Sequence, residues 1–327
     1  MRRNPTPGSS ALGPGAEFDR IRGMLRALGA RARGIGDDCA LLPGEVGTLA
    51  LSTDLSVEGV HFRLDWITLE EAGWRAAASA LSDLAAAGAE PVGLLSAITV
   101  PGGTTETELT ALARGIGEAA GAVDAAVLGG DLSHGPVWSA AVTVVGRVEQ
   151  PVTRAGARPG DGVWVTGVLG GARAALEAWR RGEAPADDAR RAYAHPEPRI
   201  EAGRWLAAHG ARAMLDVSDG LGGDAGHLAA ASGVRVRLTL ETVPVAPATV
   251  AEAARLDVPV QRFAAEGGDD YELLVALPPE FGASDVREFE AASGIALTRI
   301  GTVETGRGVR AKLLGRSLEL RGYDHFR

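Results

Sequence analysis

The feature of this sequence that most constrains its fold is an aspartate that recurs beside glycine or serine, usually next to a short apolar run. One such segment is weak evidence, because these residue types are common in the ordinary turns that follow strands. The pattern occurs at six places: Gly36-Asp37-Asp38, Ser52-Thr53-Asp54, Ser82-Asp83, Gly130-Asp131, Asp216-Val217-Ser218-Asp219 and Gly268-Asp269-Asp270. In a layered protein of strands and helices, strand ends gather at one edge of a sheet. Six repeats therefore predict an α/β (α+β) protein in which several carboxylates converge.

Carboxylates that converge at such an edge need positive charge beside them. Two unit charges about 4 Å apart repel by about 4 kcal/mol at an effective dielectric constant of about 20, whereas a folded domain is stable by only about 5–15 kcal/mol. The aspartates are therefore either scattered turn residues or ligands of cations. Ser52, Thr53 and Asp54 offer only oxygen atoms, which suit a hard cation such as Mg2+. Because phosphate oxygens are common ligands of that ion, the second interpretation indicates a phosphate substrate.

The chain is long enough for two domains. It has 327 residues, of which 46% are hydrophobic, and single cores rarely grow beyond about 250–300 residues. Residues 1–15 are rich in proline, glycine and serine, so we expect a flexible tail there and not a signal peptide. A turn-rich junction at 151–162 divides the remainder into an N-terminal α/β domain at 16–150 and a C-terminal α/β domain at 151–327.

Composition excludes several classes of protein. The net charge of −9 argues against a nucleic-acid surface, and the short, interrupted apolar runs predict no transmembrane helix. Cys39 is the only cysteine, which excludes an internal disulfide and a thiolate zinc cluster, and we expect a cytoplasmic protein. Lys312 is the only lysine, and no Gly-Lys-Ser/Thr motif contains it. If the protein binds ATP, it therefore uses neither a P-loop nor a protein-kinase lysine.

Local patterns predict the elements that carry these aspartates. Capping boxes begin two helices, at Thr68 and at Thr105. In the first half, helices are predicted at 17–28, 69–87 and 105–120, with strands at 46–53, 92–100, 125–128 and 137–148 and the helices on one face of the sheet. In the second half, strands are predicted at 163–166, 213–217, 234–240, 271–277 and 296–303, with helices ending near 180, 209, 231 and 293. Residues 182–188 are predicted to be a loop, no element is assigned to 241–266, and Asp54 and Asp131 are predicted to follow strand ends.

Taken together, the motifs resemble those of thiamine-monophosphate kinases. The segments that carry the resemblance run in consistent order from Glu17 to Phe326: Gly-Ile-Gly-Asp-Asp-Cys-Ala, Leu-Ser-Thr-Asp with a following Val-His-Phe, Leu-Ser-Asp-Leu-Ala-Ala-Ala-Gly-Ala, Gly-Gly-Asp, Arg-Ala-Gly-Ala-Arg-Pro-Gly-Asp, Asp-Val-Ser-Asp-Gly-Leu, Gly-Gly-Asp-Asp-Tyr-Glu-Leu and Gly-Tyr-Asp-His-Phe. The resemblance implies the two-domain fold of the aminoimidazole ribonucleotide synthetase-like superfamily. In that fold a mixed N-terminal sheet has helices on one face, and a C-terminal α/β domain follows. It also implies a homodimer joined through the N-terminal sheets, with ATP bound near that interface.

The reaction implied by the resemblance moves the γ-phosphoryl group of ATP to thiamine monophosphate, giving thiamine diphosphate and ADP. The family is understood to transfer this group directly, with several Mg2+ ions and no phosphoenzyme. By resemblance, the metal positions are Asp37, Ser52, Thr53, Asp54, Asp83, Asp131, Asp216 and Asp219; the ATP contacts are Gly130, Asp131, Arg154 and Ser218; and the thiamine-phosphate contacts are His61, Asp269 and Tyr323. No catalytic acid or base is assigned, because the attacking phosphate monoester is already ionised.

Position 269 departs from the family pattern. The family often has glutamate where this chain has Asp269, so the carboxylate reaches one methylene less far and a water could bridge the gap. Asp38 and Asp270 lie beside better-matched aspartates, and we interpret them as supporting or structural groups.

Two other functions remain open for this sequence. One is another ATP-dependent enzyme of the same superfamily, such as a ribonucleotide cyclo-ligase, a selenophosphate synthetase or a hydrogenase-maturation factor. Cys39 has no catalytic companion, which disfavours selenophosphate chemistry. The other is a non-catalytic acidic module that binds metal or senses nucleotide. Comparing ATP turnover across substrates would distinguish the enzymes of the superfamily from one another. Binding of metal or nucleotide without any turnover would indicate the non-catalytic module.

Overall fold

The computed structural model of the chain describes residues 12–28, 35–44 and 47–323. Most of the predicted N-terminal tail lies outside these ranges, as does Val46 at the predicted start of a strand. The last three residues of the terminal motif, Asp324, His325 and Phe326, also lie outside them. Within the described ranges, no helix combines the length and the apolar character needed to cross a bilayer.

Strands and helices alternate along the first half of the described chain. Its elements are α1 (Ala16–Leu28), β1 (Ala40–Pro43), β2 (Thr48–Val57), α2 (Leu69–Ala86), β3 (Glu90–Val100), α3 (Glu106–Gly121), β4 (Ala126–His134) and β5 (Ser139–Val148). The second half contains β6 (Gly162–Thr166), α4 (Gly171–Arg180), α5 (Asp187–Ala194), α6 (Ile200–Ala208), β7 (Ala213–Asp216), α7 (Leu221–Ser232), β8 (Arg235–Thr239), a 3-10 turn (Leu240–Thr242), α8 (Pro247–Arg255), α9 (Val260–Ala265), β9 (Leu273–Leu277), α10 (Ala283–Ser293), β10 (Leu297–Glu304), β11 (Gly308–Leu313) and β12 (Arg316–Leu318). Both predicted capping boxes, at Thr68 and Thr105, are present.

A five-stranded sheet forms the framework of the first half, in the order β1-β2-β5-β3-β4. β3 and β4 are parallel and the other neighbours are antiparallel, so the sheet is mixed. Val142 and Val144 of β5 are fully buried on the face that α2 covers. On the opposite face, Leu55 and Leu95 are 56% and 42% exposed. Helices therefore cover one face of this sheet, and the other face is apolar and open.

Helix α2 is the element that joins the two halves of the molecule. A Cβ on Gly115 of α3 would overlap the carbonyl oxygen of Glu70 in α2. A Cβ on Gly203 of α6 would overlap the carbonyl oxygen of Ala85 near the other end of α2. Because these neighbours pack backbone against backbone, the last turn of α2 has a fixed position between the halves.

A seven-stranded mixed sheet forms the framework of the second half, in the order β12-β11-β8-β10-β6-β9-β7. β11 and β8 are parallel, and the other neighbours are antiparallel. Alternate residues of β9 enter two cores: Leu273 and Val275 join the core that contains α2, whereas Leu274 and Ala276 join the core that contains α7. All residues of β6, β7 and β9 are buried. Strand β7 therefore ends, at Asp216, in the interior.

Two predicted strand ends are wrong. β2 continues past Asp54 to Val57, and β4 continues past Asp131 to His134, so both aspartates lie inside strands. β2 continues because each of its residues pairs with β5, as far as Val57 opposite Ser139, and β4 is held by β3 in the same way. Pairing with a neighbouring strand overrides the low strand propensity of aspartate.

Several short elements are absent from the prediction. Helix α5 begins within the segment predicted to be a loop, α8 and α9 lie in the segment to which no element was assigned, and β11 and β12 follow the strand predicted to close the fold. Helix α5 is polar in sequence and is held by burial of Ala189, Tyr193 and Ala194. Helix α8 begins at Pro247, a residue suited to the first helical turn. Helices this short form through tertiary packing, so their own sequence gives a weak signal.

Candidate metal and phosphate site

Three carboxylates from distant parts of the sequence meet in the interior. Asp38 precedes β1, Asp83 lies in the last turn of α2, and Asp216 ends β7. Their carboxylate oxygens lie within 4.8 Å of one another, and Asp38 and Asp216 are buried. Because α2 covers the first sheet and β7 belongs to the second, both halves of the chain contribute to this group, which we call the carboxylate cluster.

Strand β2 adds two side chains to the carboxylate cluster. The Ser52 hydroxyl donates a hydrogen bond to Asp83 Oδ2. Asp54 lies on the same face of the strand as Ser52, because side chains alternate along a strand, and its charge acts on Asp83. Thr53 points to the opposite face, where its hydroxyl lies 2.9 Å from that of Thr143. The structure thus brings the side chains of Ser52 and Asp54 to the cluster, but not that of Thr53.

One arginine offsets part of this negative charge. The Arg154 guanidinium donates to both carboxylate oxygens of Asp38, at 2.7 and 3.1 Å, and its backbone N–H donates to Asp37 at 3.0 Å. The Ser232 hydroxyl of α7 donates to the Arg154 carbonyl at 3.0 Å. The planar fork of Arg154 is therefore held in one orientation, and that geometry matches carboxylate and phosphate oxygens.

Burial and mutual repulsion raise the pKa values of the acidic side chains. The pKa of Asp37 is raised to about 6 by burial and by the charge of Asp38. The pKa of Asp216 is raised to about 7 by burial and by the same charge. Burial, and then the charges of Asp54 and Asp216, raise the pKa of Asp83 well above its usual value. At neutral pH the cluster therefore favours an added proton or an added cation.

The donor set of the carboxylate cluster fits Mg2+. Its five carboxylates, counting Asp37 and Asp54, face the single guanidinium of Arg154, so four negative charges remain when all are ionised. Two unit charges 4.8 Å apart repel by about 3.5 kcal/mol at an effective dielectric constant of about 20. The three closest carboxylates alone then repel by about 10 kcal/mol, which is comparable to a whole domain's stability. Oxygen-only ligands with excess negative charge are the environment that Mg2+ prefers.

A second charged network lies beside the Asp-Val-Ser-Asp segment. The backbone N–H of Asp269 donates to the Ser218 carbonyl at 2.8 Å. The Asp269 carboxylate pairs with Arg75 at 2.7 Å and accepts a hydrogen bond from the Tyr271 hydroxyl at 3.1 Å. Asp269 and Tyr271 have positive φ angles of 64° and 51°. Such strained backbone is retained mainly where function requires it, so this turn is a candidate binding position.

His61 is connected to the same network. The Val57 N–H donates to its Nδ1 at 3.1 Å, and its carbonyl accepts a hydrogen bond from the Tyr193 hydroxyl at 2.9 Å. Arg75 donates to the Tyr193 carbonyl at 2.7 Å, and its guanidinium lies 4.0 Å from the centroid of the Tyr193 ring. Tyr193 therefore links His61 to Arg75 and, through Arg75, to Asp269.

A cavity of about 930 Å³ opens beside Asp219. Phe18, Asp219, His227 and Tyr323 line it, together with glycines of α7. The backbone N–H of Tyr323 donates to the Asp219 carbonyl at 2.8 Å. Asp219, a predicted metal ligand, and Tyr323, a predicted substrate contact, are therefore adjacent. They lie at a cavity large enough for a small-molecule ligand.

Comparisons with known proteins identify the family. Residues 36–148 match the model of the AIR synthase related protein N-terminal domain, and residues 158–313 match that of the C-terminal domain. The thiamine-monophosphate kinase of Caulobacter vibrioides is 38% identical over 319 residues, which span 94% of this chain and 90% of that protein. The chain belongs to the thiamine-monophosphate kinase family. The family member of Escherichia coli K12 is 37% identical over 323 residues, which span 94% of this chain and 95% of that protein.

A solved structure extends the match to three dimensions. The structure described as AaThiL complexed with AMPPCP and TMP superposes with a TM-score of 0.85 at 31% identity, covering 95% of this chain and 97% of that one. This match and the two AIR synthase related domains confirm the predicted fold class, with a mixed first sheet and a second α/β unit. The thiamine-monophosphate kinase family, inferred from the sequence motifs, is likewise confirmed.

Two predicted site residues lie apart from the carboxylate cluster. Gly130 and Asp131 are exposed on β4, and three strand spacings separate β4 from β2 in the sheet, or about 14 Å. A Cβ on Gly130 would overlap the Ser96 carbonyl oxygen of β3, so the sheet itself requires glycine there. Within one chain, the structure does not bring these two family positions to the other predicted metal ligands.

The site also contains residues to which the sequence pattern assigns no direct role. Asp38, which the pattern indicates as a supporting group, is one of the three closest carboxylates and pairs with Arg154. Arg75 lies on an alanine-rich helix and is only 4% exposed. In the sequence, its role could have been suspected from the position of a positive charge among small apolar residues, because buried arginines are rare. Asp270 is partly buried, and its carboxylate accepts a hydrogen bond from the Gly170 N–H at 2.9 Å.

Proposed function

We propose that this chain transfers the γ-phosphoryl group of ATP to thiamine monophosphate, with Mg2+ as its cofactor, and releases thiamine diphosphate and ADP. The observation that carries the proposal is the convergence of Asp38, Asp83 and Asp216, whose oxygens lie within 4.8 Å of one another in a member of the thiamine-monophosphate kinase family. The related structure with a nucleotide analogue supports ATP as the co-substrate.

In this proposal, oxygen ligands from both halves of the chain hold several Mg2+ ions. Bound Mg2+ supplies positive charge that neutralises and orients the phosphate oxygens. The ligands are Asp37, Ser52, Thr53, Asp54, Asp83, Asp131, Asp216 and Asp219, to which the structure adds Asp38 as a candidate. Because the side chain of Thr53 faces away from the cluster, its backbone carbonyl is the group we assign to an ion.

The proposed ATP contacts are Gly130, Asp131, Arg154 and Ser218. Asp38 holds the Arg154 guanidinium in a fixed plane, so the arginine can present its remaining N–H donors to a phosphate without a large loss of side-chain entropy. Gly130 is included by resemblance to the family alone, because the contact that requires glycine there is with the Ser96 carbonyl oxygen of β3.

His61, Asp269 and Tyr323 are the proposed contacts of thiamine monophosphate. Arg75 and Tyr271 fix the Asp269 carboxylate, and a water is expected to bridge its shorter reach. A phosphate oxygen of thiamine monophosphate attacks the γ-phosphorus of ATP. The new P–O bond forms as the bond to the β-phosphate oxygen breaks, and ADP leaves with that electron pair. The attacking phosphate is already ionised, so no residue is needed as a general base.

We further propose a cytoplasmic homodimer joined through the open face of the first sheet. On this face Leu55 and Leu95 are 56% and 42% exposed, and exposed apolar side chains grouped on one face are typical of an interaction surface. All residues of β4 are exposed in the single chain. A partner on this face would cover β4, including Asp131, which supports an ATP site near the interface.

The proposed activity is tested by incubating the purified chain with ATP, Mg2+, K+ and thiamine monophosphate, and by measuring thiamine diphosphate chromatographically. Parallel reactions replace thiamine monophosphate by the substrates of other enzymes of the superfamily. We expect Asp83→Asn to lower kcat at least about 100-fold, while Asp187→Asn, an exposed aspartate of α5, leaves it unchanged. Folded wild-type protein that makes no thiamine diphosphate would contradict the proposal.

Direct transfer has its own test. The chain is mixed with ATP that carries a radiolabelled γ-phosphate, without thiamine monophosphate, and is then denatured and separated from free nucleotide. We expect no label on the protein, and label in thiamine diphosphate once the second substrate is added. Labelled protein that passes its phosphate to thiamine monophosphate would replace direct transfer by a phosphoenzyme pathway.

A further inference from the structure

Tyr193 of α5 lies between two of the proposed contacts of thiamine monophosphate. Its hydroxyl donates a hydrogen bond to the His61 carbonyl at 2.9 Å. The Arg75 guanidinium lies over its ring, 4.0 Å from the ring centroid, and pairs with the Asp269 carboxylate at 2.7 Å. His61 belongs to the first half of the chain and Asp269 to the second. One tyrosine therefore connects two contacts that distant parts of the sequence supply.

The ring of Tyr193 is fixed by aromatic and charged neighbours. Tyr193 is only 3% exposed. Its ring meets those of Trp66 and Trp179 at steep angles of 75° and 73°, with centroids 6.5 and 5.1 Å away, and the two indoles stack on each other. Arg75 also donates to the Tyr193 carbonyl at 2.7 Å. Edge-to-face rings and a cation over a ring face both favour particular orientations, so the hydroxyl points in one direction.

Helix α5, which carries Tyr193, is anchored on α2. Arg190 donates to both carboxylate oxygens of Glu71 in α2, at 2.6 and 2.9 Å, and such a two-pronged pair has a specific geometry. The indole N–H of Trp74 in α2 donates to the Pro196 carbonyl, just after α5, at 2.9 Å. Because the last turn of α2 carries Asp83, the helix that holds the carboxylate cluster also holds α5.

The contact with His61 fixes a residue whose ring is already oriented. The Val57 N–H donates to His61 Nδ1 at 3.1 Å, so in the neutral ring the proton lies on Nε2, which is a donor of the kind that a phosphate oxygen accepts. The His61 N–H donates to the Val57 carbonyl at 2.8 Å. Burial raises the pKa of the Tyr193 hydroxyl, so this hydroxyl remains a donor at neutral pH and holds the carbonyl of the same histidine.

We infer that Tyr193 is a positioning residue for the thiamine-monophosphate site. Its hydroxyl fixes the backbone at His61, and its ring fixes Arg75 and, through Arg75, the Asp269 carboxylate. The inference rests on the proposed function, in which His61 and Asp269 contact that substrate. Groups that bind a ligand keep their geometry only where surrounding side chains hold them in place. Here one side chain does so for contacts from both halves of the chain.

The inference is tested by titrating thiamine monophosphate calorimetrically into the full chain in excess Mg2+. Tyr193→Phe removes the hydroxyl and keeps the ring over which Arg75 lies, so we expect it to weaken binding about 3- to 10-fold. The affinity for a non-hydrolysable ATP analogue should not change. The matched control is Trp74→Phe, which removes a hydrogen bond of the same length to the Pro196 carbonyl and should bind thiamine monophosphate as the wild type does.

A double-mutant cycle separates positioning from a general structural role. If the hydroxyl acts through His61, Tyr193→Phe should change the affinity by less than about 2-fold in a His61→Ala background, because the contact that it positions is already gone. Equal weakening in the two backgrounds would overturn the inference. So would weaker binding of the ATP analogue by the same factor, because that indicates a loss of structure throughout the site.

Hydrogen exchange of the substrate-free protein gives a readout that does not depend on the proposed activity. Backbone amides of residues 57–66 should exchange faster in Tyr193→Phe than in the wild type and in Trp74→Phe, because the segment that carries His61 loses an anchor. Unchanged exchange there would overturn the inference. Wild-type protein that binds no thiamine monophosphate would instead contradict the proposed function, and the exchange rates would still decide whether Tyr193 fixes His61.

Discussion

Replacing Asp83 by asparagine is expected to stabilise the metal-free protein. The carboxylates of Asp38, Asp83 and Asp216 lie within 4.8 Å of one another, and each ionised pair repels by about 3.5 kcal/mol at an effective dielectric constant of about 20. The substitution removes two of the three pairs, which is about 7 kcal/mol of repulsion if all three carboxylates are ionised. Because the pKa values of Asp83 and Asp216 are raised, protonation already relieves much of this repulsion. We therefore expect the free energy of unfolding to rise by about 1–3 kcal/mol at neutral pH.

The measurement is guanidinium-induced unfolding in EDTA and again in excess Mg2+, followed through the six tryptophans of the chain. Asparagine keeps an oxygen that accepts the hydrogen bond of the Ser52 hydroxyl, so that contact survives. Mg2+ at about 100 times its dissociation constant should stabilise the wild type by about 2.7 kcal/mol. The same addition should stabilise Asp83→Asn much less and the exposed control, Asp187→Asn, as much as the wild type.

Two results would refute this reasoning. If Asp83→Asn is less stable than the wild type in EDTA, the carboxylate makes a net favourable contact without any metal, and the repulsion argument is wrong. If Mg2+ stabilises the variant as much as the wild type, the ion binds elsewhere in the chain.

Three further predictions follow from the same structure. Leu95→Asp on the open face of the first sheet should convert a dimer to a monomer in light scattering, whereas Leu314→Asp, which changes a side chain 82% exposed, should not; a wild type that is already monomeric refutes the proposed interface. Arg75→Gln removes the cation 2.7 Å from Asp269, so the KM for thiamine monophosphate should rise more than the KM for ATP, and the free energy of unfolding should fall by about 3 kcal/mol. Equal changes in the two KM values would show that Asp269 does not contribute to binding of thiamine monophosphate. Cys39 is 4% exposed and burial raises the pKa of its thiol, so native protein should react with a thiol reagent far more slowly than unfolded protein; rapid labelling would contradict the burial.

Features that depend on neighbouring residues in the sequence were predictable. The capping boxes at Thr68 and Thr105 each need only two residues three positions apart, and both helices begin there. The ends of β2 and β4 were not predictable, because strand length is set by the partner strand. Aspartate alone would end β2 at Asp54, but ten residues of β5 pair with the whole strand.

The convergence of carboxylates was predictable, but their partners were not. Recurrence of aspartate beside small residues indicated that Asp83 and Asp216 meet, although they are far apart in the sequence. The role of Asp38 depends on which way two adjacent aspartates point, and that is fixed by Arg154 from the junction between the halves. The connection of His61 to Asp269 through Tyr193 and Arg75 depends on how α5 packs on α2, which no short motif encodes.

Because of helix α2, the repulsion between the carboxylates of this site is overcome when the chain folds. The helix is held at its first turn by the close contact with Gly115 and at its last turn by the close contact with Gly203, so Asp83 stays beside Asp38 and Asp216 when the surroundings change. The charges are therefore brought together while the chain folds, and not when a nucleotide arrives. Substrates meet a preorganised environment that needs little rearrangement as the phosphoryl group moves. Folding stability is reduced so that the reacting groups need not reorganise.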